Sequence, residues 1–171
     1  MEHLKSLIRA VPDFPVAGIL FRDVTPLLGD AAGLREVVAH FADRYRGAGI
    51  DAVAGIESRG FIFGAPLAIE LGVGFVPIRK IGKLPADKIH REYALEYGTA
   101  TLEVHVDAVQ PGKRVLLIDD LLATGGTAGA SAALLEALGA EVVSVAFLIE
   151  LTFLDGRAAL AGHDVYSILQ Y

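Results

Sequence analysis

The stretch that decides the fold of this chain is VLLIDDLLATGGT, residues 115–127. It opens with branched apolar residues without alternation, which is typical of a central parallel strand buried on both faces. In open α/β sheets, ligands bind at the carboxyl ends of such strands. Because two carboxylates and a glycine-rich turn follow the apolar run, the stretch predicts a strand that leads directly into a ligand site.

The turn at the end of this stretch has the composition of a phosphate site. Glycine lets a ligand approach the backbone closely, and hydroxyls donate hydrogen bonds to anions together with the free amides of a following helix. Asp119 and Asp120 would repel a phosphate, so they suit ribose hydroxyls or a hydrated magnesium ion. From this stretch alone, a plain strand-turn-helix connection remains an alternative. The turn residues are Thr124, Gly125, Gly126 and Thr127.

The composition fits one apolar α/β domain. The chain has 171 residues, 53% of them hydrophobic, with a mean hydropathy of +0.50, which suffices for a substantial core. No uninterrupted apolar stretch is long enough for a membrane span, and the net charge of −6 gives no general attraction to nucleic acid. The first residues lack the apolar core of a signal peptide, so we expect a cytoplasmic protein.

Several well-known motifs do not occur in the sequence. A Gly-x-x-x-x-Gly-Lys-Ser/Thr motif is missing, which argues against a P-loop nucleotidase, and no Gly-x-Gly-x-x-Gly motif indicates a dinucleotide site. The histidines show no metal-ligand spacing, and the chain contains no cysteine. The sequence therefore predicts neither a structural zinc site nor a thiolate nucleophile.

Apolar periodicity predicts alternating strands and helices. Strands are predicted at 52–56, 75–78, 115–118, 142–149 and 165–169. Helices are predicted at 34–45, 61–71, 127–138 and 153–160, with a short one that begins near Leu4 and stops at Pro12. Residues 13–23 are predicted to form a covering loop, although a segment that packs into the core would explain Phe14 and Phe21 equally well. Residues 92–97 and 101–106 are predicted to form a hairpin that turns at Gly98. This order describes one α/β domain with a mostly parallel central sheet flanked by helices.

A second ligand loop is predicted where the strand at 52–56 ends. Glu57, Ser58, Arg59 and Gly60 again combine charge with glycine at a strand exit. The guanidinium of Arg59 offers a planar fork of donors that matches phosphate. The alternative is a surface arginine paired with Glu57.

A basic segment, residues 79–91, follows the strand at 75–78. A run of charged residues of this kind more often forms a solvated loop. Its position beside two anion-type loops favours instead a mobile lid over phosphates. Its cationic residues are Arg79, Lys80, Lys83, Lys88 and Arg91, joined by His90 when that is protonated.

Together with residues 115–127, several blocks resemble the type I phosphoribosyltransferases, and among them the adenine phosphoribosyltransferase family. The resemblance runs from about Val11 to Tyr171, with the blocks in the family's usual order. Each block alone is only weak support for the resemblance, whereas the blocks together are highly specific for this family. They are Asp13-Phe14-Pro15, Phe21-Arg22-Asp23, Glu57-Ser58-Arg59-Gly60-Phe61, Gly82-Lys83-Leu84-Pro85 and Tyr93-Ala94-Leu95-Glu96-Tyr97-Gly98.

The resemblance implies the type I phosphoribosyltransferase fold in one domain, residues 1–171, with an N-terminal hood at about 1–30 and a hairpin lid at about 80–106. The implied reaction, in purine salvage, transfers the 5-phosphoribosyl group from phosphoribosyl pyrophosphate (PRPP) to adenine and gives AMP and pyrophosphate. The family further implies a homodimer, and Mg²⁺ held mainly by PRPP without a direct protein ligand. Two alternatives remain open, a PRPP-dependent transferase for another purine base and a PRPP-sensing regulator without turnover.

The same resemblance assigns roles to individual residues. Glu96 would handle a proton on the purine ring as general acid or base, and Arg59 would stabilise the departing pyrophosphate. Without the resemblance, Glu96 would be interpreted as a solvent-facing hairpin carboxylate. Ribose and the 5′-phosphate would be bound by Asp119, Asp120, Ala123, Thr124, Gly125, Gly126 and Thr127.

The remaining assignments concern pyrophosphate and the base. The pyrophosphate loop and lid would contribute Glu57, Ser58, Arg59, Lys80 and Lys83, with a non-proline cis peptide in that loop. Any contact of Mg²⁺ with Asp119 and Asp120 would pass through water. Adenine would stack between Phe21 and Leu121, and its edge would face backbone groups around Leu20 and Arg22.

Overall fold

The computed structural model of the chain describes residues 2–94 and 98–171. Its helices are α1 (Glu2–Ser6), α2 (Thr25–Gly29), α3 (Ala31–Tyr45), α4 (Arg59–Leu71) and α5 (Gly126–Ala137). Its strands are β1 (Arg9–Pro12), β2 (Leu20–Asp23), β3 (Ala52–Ile56), β4 (Gly74–Lys80), β5 (Lys88–Ala94), β6 (Thr99–His105), β7 (Arg114–Leu122), β8 (Glu141–Glu150) and β9 (Val165–Gln170). Two 3₁₀ turns, Thr152–Leu154 and Gly156–Leu160, connect β8 to β9.

The main sheet has seven strands in the order β5-β6-β4-β3-β7-β8-β9. Five neighbouring strands, β4, β3, β7, β8 and β9, pair in parallel. At the β4 edge, β6 pairs with β4 and β5 pairs with β6, both antiparallel. β1 and β2 form a separate antiparallel pair. The predicted α/β architecture with a mostly parallel central sheet is therefore confirmed.

The apolar run of β7 is buried on both faces of the sheet. Leu116 and Ile118 pack into a cluster that includes Phe41 of α3. Val115 and Leu117 pack into a second cluster that includes the apolar face of α5. The side chains of residues 115–118 are all completely buried. Burying one large aliphatic side chain stabilises the fold by about 1.5–3 kcal/mol. β7 therefore joins the two layers of the core.

The N-terminal helix predicted to reach Pro12 is shorter than expected. α1 ends at Ser6, and β1 pairs with β2 so that Val11 lies opposite Phe21. Leu4 and Ile8 are buried, so part of the apolar spacing does face the core. In residues 9–12, strand pairing overrides helix propensity, since propensity is a weak determinant beside tertiary contacts. The same pairing converts the end of the predicted covering loop into β2.

The helix predicted at 153–160 is wrong, because two 3₁₀ turns occupy this segment. Asp155 separates them in a left-handed conformation with φ +50°. A continuous α-helix of L-residues does not accommodate this conformation. Phe153, the expected start of the helix, is 73% exposed.

The basic segment at 79–91 is partly strand rather than entirely loop. β4 extends to Lys80 and β5 begins at Lys88, so residues 81–87 form the connection. β5 and β6 pair from Lys88 opposite His105 to Ala94 opposite Thr99, which confirms the hairpin with an earlier start. Residues 95–97 lie outside the described part of the chain. Within that part, no helix has the length and apolar character needed to cross a membrane.

Glu150, at the end of β8, is a buried carboxylate surrounded by donors. Arg157 donates from Nε to Oε1 at 2.6 Å and from Nη2 to Oε2 at 2.8 Å, and Ser167 and Gln170 also donate to Oε2. The hydrogen bonds from Arg157, opposed by burial and assisted by Ser167, lower the pKa of Glu150 to about 2. Since the unfolded chain keeps the ordinary pKa, ionised Glu150 stabilises the fold above that value and loses this effect as the pH falls towards 2.

Replacing Glu150 with Gln should lower the free energy of unfolding by about 2 kcal/mol at pH 7, because it removes a charge held by several donors. The loss should shrink as the pH falls from 4.5 towards 2, where wild-type Glu150 also becomes neutral. Urea unfolding followed by circular dichroism at pH 7 and near pH 3 measures the difference.

Glu141→Gln is the control for this experiment. It neutralises an exposed carboxylate paired with Arg114, and should change the free energy of unfolding by less than about 0.5 kcal/mol. A loss for Glu150→Gln that is equally large at both pH values would contradict the role of the charge.

Candidate active site

Two neighbouring parallel strands, β3 and β7, end side by side, and each leads directly into a helix. Gly55 of β3 lies opposite Ile118 of β7, α4 begins at Arg59, and α5 begins at Gly126. The start of a helix carries free amides and the positive end of the helix dipole. Two potential anion-binding ends therefore meet at one edge of the sheet.

A pocket of about 380 Å³ lies between these two helix starts. It contains every residue predicted to bind ribose and the 5′-phosphate, and most of those predicted for pyrophosphate. Its lining consists of Glu57, Ser58, Arg59, Lys80, Tyr93, Ala100, Leu102 and residues 119–128.

The close packing of α4 against β7 depends on Gly60. A Cβ at this position would lie 2.8 Å from the carbonyl oxygen of Ile118 and 3.1 Å from Oδ1 of Asp119. A side chain here would push the start of α4 away from the carboxylates of β7. Just before it, the peptide bond between Glu57 and Ser58 is cis, as the family resemblance implied.

The turn after β7 presents its backbone to the pocket. Gly125, the residue before α5, has φ +82°, a conformation that glycine adopts without steric cost. The amide of Gly129 donates to the carbonyl of Gly125 at 2.8 Å, so the amides of the first helical turn have no intrahelical acceptors. Thr124 and Thr127 line the same pocket. This combination of amides and hydroxyls suits a phosphate group.

Asp119 and Asp120 bring negative charge to the centre of the pocket. The amide of Asp120 donates to Oδ1 of Asp119 at 2.8 Å, and the carboxylate of Asp120 forms an ion pair with Nε of Arg59. Burial, followed by the neighbouring Asp120 carboxylate, raises the pKa of Asp119 well above its usual value. The alternative that paired Arg59 with Glu57 is wrong, because the guanidinium contacts Asp120 instead.

Glu57 connects the ends of β3 and β4. Its Oε2 accepts hydrogen bonds from Nε of Arg79 at 3.1 Å and from the amide of Lys80 at 3.0 Å. Burial raises the pKa of Glu57, the Lys80 amide and Arg79 lower it, and the net direction is downward. The side chain of Glu57 is thus engaged in the scaffold, while Lys80 and Arg59 supply positive charge to the pocket lining.

Lys83 is separate from this lining, unlike Lys80. The amides of Lys83 and Leu84 donate to Oε1 of Glu103 at 2.8 and 2.7 Å. Glu103 is 1% exposed, so it anchors the backbone of the loop to β6. A role for the Lys83 side chain stays a prediction.

The hairpin contributes three lining residues that sequence reasoning did not assign to the site. Tyr93 lies opposite Ala100 between β5 and β6, and Leu102 lies opposite Lys80 between β6 and β4. The hydroxyl of Tyr93 accepts a hydrogen bond from Oγ1 of Thr127 at 3.2 Å. The alternation of apolar and polar residues predicts a hairpin. The pairing of β6 with β4 brings these residues to the pocket, and no short stretch of sequence predicts that pairing.

The four residues predicted to bind adenine are divided between the pocket and β2. Leu121 lines the pocket, whereas the other three lie in β2 outside the lining: Leu20, Phe21 and Arg22. Phe21 packs edge-on against Phe14 with ring centroids 5.2 Å apart. The Arg22 guanidinium lies 3.9 Å from the centre of the Tyr171 ring.

Asp23, at the end of β2, is hydrogen-bonded to the amide and hydroxyl of Thr25 at the start of α2. Hydrogen bonds from Thr25, with smaller effects of Arg9 and Arg59, lower the pKa of Asp23. Glu96, the predicted acid or base, lies outside the described residues.

Comparison with known proteins agrees with this fold. The model of the phosphoribosyl transferase domain family matches residues 28–166. The adenine phosphoribosyltransferase of Chloroflexus aurantiacus is 58% identical over 99% of this chain and 98% of its own length. The crystal structure of adenine phosphoribosyltransferase from Thermoanaerobacter pseudethanolicus has a TM-score of 0.96 at 55% identity, with 99% of both chains covered.

A third relative was crystallised with ligands. The Saccharomyces cerevisiae adenine phosphoribosyltransferase, complexed with D-2,5-dideoxy-2,5-imino-altritol 1,6-bisphosphate and adenine, has a TM-score of 0.93 at 39% identity. The match covers 97% of this chain and 96% of that one. Fold and pocket thus define a type I phosphoribosyltransferase. The identity over nearly the whole length shows that the chain belongs to the adenine phosphoribosyltransferase family.

Replacing Asp120 with Asn should lower the pKa of Asp119, because the neighbouring carboxylate contributes to its elevation. The pKa should nevertheless stay above the ordinary range, since burial is the larger cause. A pH titration followed by carbon NMR of the aspartate carboxyls measures both effects.

Asp164→Asn is the control, because Asp164 lies outside the pocket lining. Its carboxylate accepts a hydrogen bond from Ser144. The substitution should leave the titration of Asp119 unchanged. If Asp119 also titrates unchanged in Asp120→Asn, the two pocket carboxylates do not interact as described.

Proposed function

We propose that this chain transfers the 5-phosphoribosyl group from PRPP to adenine, and so produces AMP and pyrophosphate in purine salvage. The observation that carries this proposal is the pair of helix starts, at α4 and α5, that share one pocket with Asp119 and Asp120. PRPP has a matching arrangement of groups, because a ribose with free hydroxyls separates its two anionic ends. Family membership and the adenine bound to the yeast relative support adenine as the base.

The turn after β7 would hold the 5′-phosphate. Residues 123–127 offer backbone amides and the hydroxyls of Thr124 and Thr127 to its oxygens. Asp119 and Asp120 would accept hydrogen bonds from the ribose hydroxyls. Because Arg59 pairs with Asp120, the ribose site and the neighbouring pyrophosphate site share one charged contact.

Arg59 and Lys80 would stabilise pyrophosphate as it leaves. Breaking the bond between ribose C1 and the pyrophosphate oxygen puts negative charge on the leaving group, which pre-placed cations stabilise. Arg59 contacts Asp120 through Nε while 46% of its side chain is exposed, so its terminal nitrogens can bind a phosphate. Lys83 would join from the loop that Glu103 anchors.

The pocket fits Mg²⁺ as a partner of PRPP. Its carboxylates are hard oxygen ligands of the kind that Mg²⁺ prefers, but Asp120 binds Arg59 and Glu57 binds Arg79. Among residues 2–94 and 98–171, no three or more His, Asp or Glu side chains assemble into a metal site. We therefore place Mg²⁺ mainly on the pyrophosphate, in water-mediated contact with Asp119 and Asp120. There it would neutralise charge on the leaving group.

Adenine would stack between Phe21 and Leu121, with backbone groups of Leu20 and Arg22 at its edge. Leu121 already lines the pocket. A cation held over an aromatic ring contributes roughly 0.5–2 kcal/mol, so the contact of Arg22 with Tyr171 would steady β2. Backbone readout explains why the sequence offers no dedicated polar side chain for the base.

Glu96 would act as the acid or base for the purine ring. N9 of adenine must lose its proton when it bonds to ribose C1, and a carboxylate near the base can accept that proton. Two observations support the assignment. The block from Tyr93 to Gly98 resembles the family, and both described flanks of Glu96 contribute a lining residue, Tyr93 on one side and Ala100 on the other.

We further propose a cytoplasmic homodimer of single-domain chains, residues 1–171, with a hood at about 1–30 and a lid at about 80–106. Support for the dimer comes from α4, where Ile69 is 80% exposed and Ile62 39% exposed. Ile69 borders an apolar groove that also includes Leu34, Val38 and Pro66, and such patches mark protein interfaces. Phosphorylated substrates that do not cross membranes unaided support a cytoplasmic location.

Incubation with PRPP, Mg²⁺ and adenine should give AMP and an equal amount of pyrophosphate, measured by chromatography. Guanine, hypoxanthine and xanthine should react with a kcat/KM at least ~100-fold lower, because backbone groups that pair with the edge of adenine would be left unpaired by a base with a different hydrogen-bonding pattern. GMP, IMP or XMP in place of AMP would assign another purine. PRPP binding without any nucleotide product would indicate a regulator.

Glu96→Gln should lower kcat by ~10²–10⁴-fold, because it removes the proton acceptor but keeps the size of the side chain. The KM for PRPP should change little, and steady-state kinetics with both substrates measures each value. The control is Glu92→Gln, which neutralises an exposed carboxylate on β5 and should retain full turnover. Full turnover by Glu96→Gln would remove Glu96 from this role.

A further inference from the structure

The turn proposed to bind the 5′-phosphate is packed against a second turn that lies outside the pocket lining. This second segment, Gly156–Leu160, is called the backing turn. A Cβ on Gly156 would overlap the carbonyl oxygen of Ala123, and a Cβ on Gly125 would overlap the carbonyl oxygen of Gly156. The two backbones therefore touch without an intervening side chain, and a displacement of one must displace the other.

The contact continues into the start of α5. A Cβ on Gly125 would also lie 2.9 Å from the Cβ of Ala159, and a Cβ on Gly129 would lie 3.0 Å from the carbonyl oxygen of Ala159. Gly125 and Gly129 flank the first turn of α5, whose amides face the proposed phosphate site. The backing turn thus contacts the segment that carries these amides at both of its ends.

Arg157 fixes the backing turn to the sheet. Besides its two hydrogen bonds to Glu150 of β8, it donates from Nη1 to the carbonyl of Val165 in β9 at 3.0 Å. All three guanidinium nitrogens are therefore used on the scaffold. Glu150 is 4% exposed, and a bidentate arginine-carboxylate pair has a narrowly defined geometry. Through the side chain of Arg157, the backing turn is therefore tied to both β8 and β9 next to Gly156.

We propose that Arg157 is a positioning residue for the 5′-phosphate site, and that it acts through Gly156. Held by Glu150, it keeps the backbone of Gly156 against Ala123 and Gly125, and thereby keeps the amides of residues 124–127 aimed at the phosphate. This role rests on the proposed function of the pocket. It concerns residues outside the pocket lining, which touch no substrate.

A positioning role and a merely structural role have different kinetic consequences. Disordered phosphate-binding amides weaken binding of PRPP and of other 5′-phosphates, whereas adenine binds to other residues. A general loss of stability lowers the melting temperature without separating the two substrates. The KM for PRPP, the KM for adenine and the affinity for ribose 5-phosphate therefore distinguish the two roles.

Arg157→Gln and Gly156→Ala should each raise the KM for PRPP by about tenfold or more, since displaced donors lose both hydrogen-bond strength and alignment. The KM for adenine should stay within about twofold, and the affinity for ribose 5-phosphate, measured by calorimetry, should fall in parallel. Arg157→Lys keeps the charge but loses the bidentate fork, so its KM should lie between those of the wild type and Arg157→Gln.

Ser144→Ala is the matched control. Ser144 lies near the opposite end of β8, is 1% exposed, and is hydrogen-bonded to Tyr45 and Asp164. Its loss should lower the melting temperature without affecting the KM for PRPP. If Arg157→Lys and Arg157→Gln change the melting temperature as Ser144→Ala does and leave both the KM for PRPP and ribose 5-phosphate affinity unchanged, the proposal is overturned.

The outcome for the wild type separates this inference from the proposed function. If the wild type makes AMP while the Arg157 variants keep their KM for PRPP, the positioning role fails and the transferase function stands. If the wild type binds ribose 5-phosphate and Arg157→Gln weakens that binding, the positioning role stands even if no AMP forms. If no AMP forms although the wild type binds ribose 5-phosphate, the transferase function fails.

Discussion

The parallel pairing of β3 with β7 is the constraint on which the rest of the structure depends. It places Glu57 beside Asp119 and Asp120, and starts two helices from the same edge of the sheet. Backbone amides at these helix starts are fixed by the fold, so they are aligned for anions before a ligand arrives. Gly60 allows the close approach that this arrangement needs, because any side chain there would meet the β7 backbone.

Charge in the pocket is balanced by pairs that each connect two elements. Arg59 at the start of α4 binds Asp120 of β7, and Arg79 of β4 binds Glu57 after β3. Each pair thus joins a carboxylate of one element directly to a cation of another at this edge of the sheet. The Arg157–Glu150 pair follows the same pattern outside the pocket lining, where it joins the turn at 156–160 to β8.

The parts of the fold that the sequence predicted well are those with strong local signals. The strand at 52–56 has the predicted bounds, and the helices at 34–45 and 61–71 begin only slightly earlier than expected. Branched apolar runs and helical spacing depend on neighbours in sequence, so a single chain reveals them. The segment 153–160 has similar spacing but adopts 3₁₀ turns, since Asp155 takes a left-handed conformation that apolar spacing does not encode.

By itself, the sequence determined the α/β class, the two strand exits rich in charge and glycine, and their resemblance to one family of transferases. Those features are local, because each is written in a short run such as residues 57–60 or 115–127. The tertiary structure alone decided that Arg59 pairs with Asp120, that Tyr93 is hydrogen-bonded to Thr127, and that Gly156 contacts the turn at 123–127. These contacts join residues far apart in the chain, and their partners are selected by strand order and register, which no single stretch specifies.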